Sequence, residues 1–127
     1  LKMYEVFREY DSYIRSKYNA EPGFITMNMP ALLDALNSVG IENPVICSSI
    51  NKIGFRMSGG KEIYEQYLNE KKFRPIAMQV LAAGALRPAE AIEYLGRFPK
   101  IESVLFGASS KGHILETKEL IEKHLGN

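Results

Sequence analysis

The sequence of 127 residues predicts an α/β fold of parallel βα units, the C-terminal half of a TIM (β/α)8 barrel. Three observations predict it. Segments of strand length alternate with segments of helical periodicity, and the strands open near residues 23, 44, 75 and 101, the rhythm of consecutive βα units joined by right-handed crossovers. The runs at 44–50, 76–81 and 101–106 carry no regular polar alternation, which places them in an interior parallel sheet covered on both faces. A complete barrel needs about 250 residues, so this chain has the length of half of one. A small doubly wound, flavodoxin-like sheet would be complete at this length and is the alternative. Two features favour the half-barrel: the chain opens on a helix, and no glycine-rich phosphate turn follows the first strand.

In order along the chain, Met3, Phe7, Tyr10 and Ile14 recur at four- and three-residue spacing and predict an amphipathic helix over 1–18. Pro22 and Gly23 stop it. A strand over 24–29 follows, and Asn28 stands just before Pro30, which suits a helical first turn. In that helix Leu32, Leu33, Leu36 and Val39 face inward and Gly40 ends it. The strand over 44–50 runs into a ten-residue loop over 51–60, against about 2–6 residues for an ordinary βα connection. A helix over 61–72 leads to the strand over 76–81, a glycine-containing turn, a helix opened by Pro88, the strand over 101–106, and a loop entering the last helix. The expected organisation is a single half-barrel domain over 1–127, with a leading helix over 1–19 and four βα units over 23–127.

Composition sets further bounds. Hydrophobic residues make up 46% and charged residues 24%, enough for a core. The net charge of +1, with no basic run, gives no reason to expect nucleic acid or a membrane surface as partner. No apolar segment approaches the roughly 20 residues of a membrane span, and no secretory signal pattern opens the chain. Cys47 stands alone, so a reducing cytoplasm is the expected compartment. The chain starts at Leu1, inside a helical pattern, as a trimmed or truncated chain would. The lone cysteine and the two histidines have no metal-ligand spacing, so no metal is expected.

In a parallel barrel the chemistry sits at the C-terminal ends of the strands, which here means residues 82–87 and 107–112. The loop Gly107, Ala108, Ser109, Ser110, Lys111 has the residues of an anion site. Glycine admits a close approach, the serines offer hydroxyls, lysine adds charge, and the following helix presents amides and its positive dipole end. Helix capping by Ser109 or Ser110 uses the same donors and is an equally good reading. Gln79, the polar residue of the strand over 76–81, is either a ligand contact near the cofactor position or a satisfied core amide. In the loop over 51–60, Ile53, Phe55 and Met57 form either an apolar lid, with Lys52 or Arg56 meeting an acidic group, or a packing surface for another part of the protein. Cys47 reads as an inert thiol among apolar residues, with a nucleophile as the lesser alternative, His113 as either a first-turn surface residue or a ligand contact, and His124 as a last-turn residue suited to the helix dipole. The tyrosines of the first helix read as packing.

Four segments together resemble the aldo-keto reductase family. IAMQVLAAGAL (76–86) is similar to that family's seventh strand and loop, and VLFGASSKGHILET (104–117) to its eighth strand and cofactor loop. The segment from Gly23 through PALLDAL resembles the fifth-strand region, and PVICSSIN (44–51) the sixth strand. The resemblance implies a TIM barrel binding NADP, with Asn28 at the carboxamide-binding position and residues 107–111 around the adenosine 2′-phosphate. It also implies that the family's Asp, Tyr, Lys and His come from a first half-barrel not matched in this chain. Ile50 stands where the family stacks a tyrosine on the nicotinamide, and Cys47 where a glutamine binds the carboxamide. His113 and Thr117 replace the Gln and Asn that close the phosphate site.

The functional expectation is therefore an NAD(P)H-dependent oxidoreductase acting on a small molecule, with its catalytic residues outside this chain and a missing N-terminal half-barrel or a second copy as partner. The alternatives are a non-catalytic half-barrel assembly module, and a barrel lyase or isomerase that binds another phosphate-containing ligand.

Overall fold

The computed structural model describes residues 4–126. The elements alternate throughout: α1 (Glu5–Tyr18), β1 (Gly23–Thr26), α2 (Met29–Ser38), β2 (Val45–Ser49), α3 (Lys61–Glu70), β3 (Arg74–Met78), α4 (Pro88–Leu95), β4 (Ser103–Val104) and α5 (Lys111–Leu125). The four strands form one parallel sheet in the order β1-β2-β3-β4. A doubly wound sheet complete within the chain would contain a reversal of strand order; here each strand lies beside its predecessor, as in half a barrel.

The register sorts the side chains into two faces. Phe24, Ile46 and Pro75 lie abreast, and one step along Thr26, Ser48, Ala77 and Val104 do the same. These residues meet the helices. Leu33 and Leu36 of α2, Tyr64 and Leu68 of α3, and Ile92 and Leu95 of α4 share one core with Ile46 and Ala77, while Phe7 of α1 and Leu120 of α5 pack against it. All five helices thus cover the same face. The alternate residues, Ile25, Cys47, Ile76 and Ser103 in one row and Met78 and Leu105 beyond them, face away from the helices. Ile25 is 71% and Leu105 54% exposed. The expectation of a sheet covered on both faces is corrected: the apolar runs carry one covered face and one bare apolar face, which is what a barrel interior requires.

Several boundaries differ from expectation for local reasons. The first strand ends at Thr26 because Asn28 is given over to capping α2, its Oδ1 accepting from the Ala31 amide at 3.2 Å. The third strand runs over Arg74–Met78, not 76–81, because Gln79 turns left-handed (φ 54). Pro75 is tolerated inside it because β4 begins pairing only at Ser103, opposite Ile76, so the missing amide hydrogen costs no ladder bond. The fourth strand shortens to two residues. The first helix is found from Glu5; residues 1–3 of the expected helix lie outside the described residues.

Polar side chains tie the layers together. The Tyr64 hydroxyl, on a fully buried ring, accepts from the Met29 amide (3.1 Å) and donates to the Met27 carbonyl (3.3 Å), fixing α3 to the β1–α2 connection. At the opposite end of the sheet Arg74 pairs with Glu102 (2.7 Å) and with Glu21, joining the segments that precede β4 and β1. Where α4 meets α5, a Cβ on Gly96 would sit 3.1 Å from the His124 carbonyl oxygen, so glycine permits the approach and His124 has a packing place. Ser48, 1% exposed on the helix side, is the exception, since its hydroxyl has no partner among the described residues. A buried unpartnered hydroxyl costs about 1–3 kcal/mol. Ser48→Ala is therefore expected to raise stability by about 1 kcal/mol, read from the urea unfolding midpoint at unchanged slope.

Candidate functional site

The C-terminal ends of β2, β3 and β4 converge on one rim, and the long loop over 51–60 is organised there by Asn51. This side chain is fully buried. Its Nδ2 donates to the Phe55 carbonyl (2.9 Å) and the Gln79 carbonyl (3.2 Å), and its Oδ1 accepts from the Phe55 amide (2.8 Å). One residue therefore folds the loop back on itself and fastens it to the end of β3. Met57, 5% exposed, fills the space beneath, its Sδ 3.5 Å from the Asn51 amide nitrogen. Of the apolar trio expected as a lid, Met57 is core, Phe55 half-buried and Ile53 largely exposed. Lys52 turns away, 3.8 Å from Glu90, while Arg56 stays at the rim.

Two clefts open on this rim. The first, of about 450 Å3, lies between the loop over 51–60 and the ends of β3 and β4, and its lining includes Phe55, Arg56, Gln79, Leu105 and Gly107. The second, of about 470 Å3, lies between the loop after β3 and the start of α5, and includes Gly107, Ala108, Ser109, His113, Glu116 and Thr117. Leu81, Gly84 and Gly107 belong to both. Neither Gly84 nor Gly107 has any atom within 4 Å of where a Cβ would stand, so open space lies above each.

Of the residues expected in the site, Gln79 and Gly107 are brought together in the first cleft, and Gly107, Ala108 and Ser109 in the second. Ser110 caps α5, its Oγ accepting from the His113 amide at 3.2 Å. That bond and the Ile114 amide to Ser110 carbonyl bond (3.1 Å) use two donors of the first turn; the amides of Lys111 and Gly112, which no helix can satisfy internally, remain. Lys111 is exposed, with no carboxylate in ion-pair range among the described residues. Asn28 lines neither cleft; it caps α2 beyond β1. Gln79 accepts the hydroxyl of Ser49, so its carboxamide oxygen is held from below. Ile50, at the position of a stacking tyrosine in the resemblance, is fully buried. Cys47 lies half-buried on the bare sheet face, and burial pushes its thiol above the ordinary range, which leaves it protonated near neutral pH.

The sequence did not reveal the backbone of the loop after β3. Gln79, Ala82 and Ala83 all take left-handed φ values of 51–56, with Gly84 at 90; an alanine pair gives no sign of such a turn. Asn51 was visible only as the polar residue ending an apolar strand. Among the described residues no group of three or more acidic, histidine or cysteine side chains could hold a metal ion, and no helix is long and apolar enough to cross a membrane. No protein-family model, curated protein or solved structure matches the chain.

Removing the Asn51 clamp tests how far the rim depends on it. Asn51→Ala leaves the Phe55 amide and carbonyl and the Gln79 carbonyl without their partner, and is expected to cost roughly 2–4 kcal/mol. Hydrogen exchange should accelerate over 51–60 and at 79–84 and stay near wild type over β1 and α2.

Proposed function

We propose that the chain is one half of a (β/α)8 barrel whose C-terminal rim binds a phosphate-bearing small molecule, NADP in an aldo-keto reductase-like reading, while acid–base groups come from the other half. The observation that carries this reading is the second cleft: residues 107–109 line an open space at the end of β4, directly where α5 begins. Just beyond that lining, the amides of Lys111 and Gly112, the lysine charge and the helix dipole favour an anion at this end of α5. Glu116 on the same cleft favours a single phosphate group at this point, as the adenosine 2′-phosphate of NADP would be.

What supports the half-barrel is the bare face. Ile25, Cys47, Ile76, Met78 and Leu105 form an apolar surface that no helix among the described residues covers, and within them β1 and β4 each keep one unpaired edge. A second half-barrel, either an N-terminal half or a second copy about a two-fold axis, would bury that face and pair both edges. In the non-catalytic reading, this pairing is the chain's whole role.

Three outcomes are expected. Inorganic phosphate should shift the amide resonances of residues 107–113, and Lys111→Glu should weaken it roughly fivefold; an undisturbed loop would refute the anion site. NADPH should bind through the same residues; phosphate binding without any NADPH fluorescence change would move the assignment to a lyase or isomerase of phosphorylated metabolites. In size-exclusion chromatography with light scattering, the isolated chain should self-associate or melt without cooperativity, and a cooperative monomer would sink the half-barrel reading.

A further inference from the structure

The first cleft differs in chemistry from the phosphate loop. Its walls are apolar, from Phe55, Leu81, Leu105 and Phe106, and its polar side chains are Arg56 and Gln79. No acidic residue lines it among the described residues, and none pairs with the Arg56 guanidinium, which lies 5.2 Å from the Phe55 ring centroid. The Gln79 carboxamide receives the Ser49 hydroxyl on Oε1, and its Nε2 donates to no described residue.

Arg56 and Gln79 both hold left-handed backbones, φ 54 at each, and Ala83 beside them φ 56. Non-glycine residues adopt such conformations at a cost, and they persist where the surroundings fix them, often at ligand clamps. Here the surroundings are known. Asn51 bonds to Phe55 on one wall and to Gln79 on the other, so a single buried amide sets the width of the cleft before any ligand arrives.

We propose that this cleft is a subsite for a carboxylate carried on a flat apolar body. One guanidinium offers a planar pair of donors that matches the two oxygens of a carboxylate. The Gln79 Nε2 supplies a further donor, and the Phe55 ring and the leucines cover the apolar body. A phosphate dianion would leave charge uncompensated beside a single cation and apolar walls.

Benzoate is the probe, titrated into the full chain and followed by amide resonances. Shifts are expected at residues 54–57, 79–84 and 105–107. Arg56→Gly should remain folded, since φ 54 suits glycine, melt no lower than wild type, and weaken benzoate about tenfold or more. Arg56→Lys keeps the charge but loses the fork and should weaken it less. Lys111→Glu should leave benzoate binding unchanged, which separates this site from the phosphate loop. The proposal is overturned if benzoate leaves the cleft residues unmoved, if its binding survives Arg56→Gly, or if inorganic phosphate displaces it from the cleft in an Arg56-dependent way.

Discussion

A buried amide just after β2 decides the shape of the rim where both clefts open. Asn51 follows the last strand residue, Ser49, and Ile50, both inaccessible, so its side chain has no water to bond and must find protein partners. It finds three, on Phe55 and Gln79. The consequence reaches past the loop it closes. Gln79 is fixed in place by Asn51 on its carbonyl and by Ser49 on its carboxamide, so β3 stops at Met78 and the chain leaves through a left-handed turn. That turn forms one wall of both clefts.

Below the rim, the organising fact is that coverage is one-sided. With each strand beside its predecessor and each crossover right-handed, every helix falls on one face, and the core of Leu33, Ile46, Tyr64, Ala77 and Ile92 forms there. The other face keeps its apolar residues without a layer to bury them. Exposure rises toward the edges: Ile25 on β1 and Leu105 after β4 are more than half exposed, whereas Cys47 and Ile76 on the inner strands are shielded in part by their neighbours. The contact between Arg74 and its two glutamates, one before β1 and one before β4, spans the base of this face. It lies at the N-terminal end of the strands, where conserved chemistry in barrels serves stability and not reaction.

The fold was legible because its signals are local. Pro30 and Pro88 at helix starts, Gly40 after α2 and the four apolar strand segments each mark an element through backbone sterics or burial. The order of those elements is enough to name the class. Strand ends were not legible. Val80 and Leu81 are as apolar as any strand residue, yet Gln79 ends β3 because two distant residues, Ser49 and Asn51, bond to it. The bare face was half-legible for a related reason: an uninterrupted apolar run shows that both faces are apolar, but not that the helices cover only one of them. At the site, the loop over 107–111 declared itself by composition, while the Arg56 cleft depends on left-handed backbone at Arg56, Gln79 and Ala83 that no residue type announces.

Capping and anion binding at α5 were equal readings of one set of donors, and the geometry shows the capping half of it. A helix start exposes four amides. The Ser110 hydroxyl takes that of His113, while the Ile114 amide makes the first intrahelical bond, to the Ser110 carbonyl, so the cap orders the turn without filling it. Among the described residues the Lys111 and Gly112 amides have no partner, and the two residues follow, after Ser110, on the loop that lines the second cleft without lining it themselves. A cap that consumed every donor would have closed the site; one that holds the serine side chain back toward His113 keeps the hydroxyl out of the cleft and the first two amides free. The serine is thus a positioning residue for α5, and the anion site proposed at this end rests on backbone donors and the lysine charge more than on either serine.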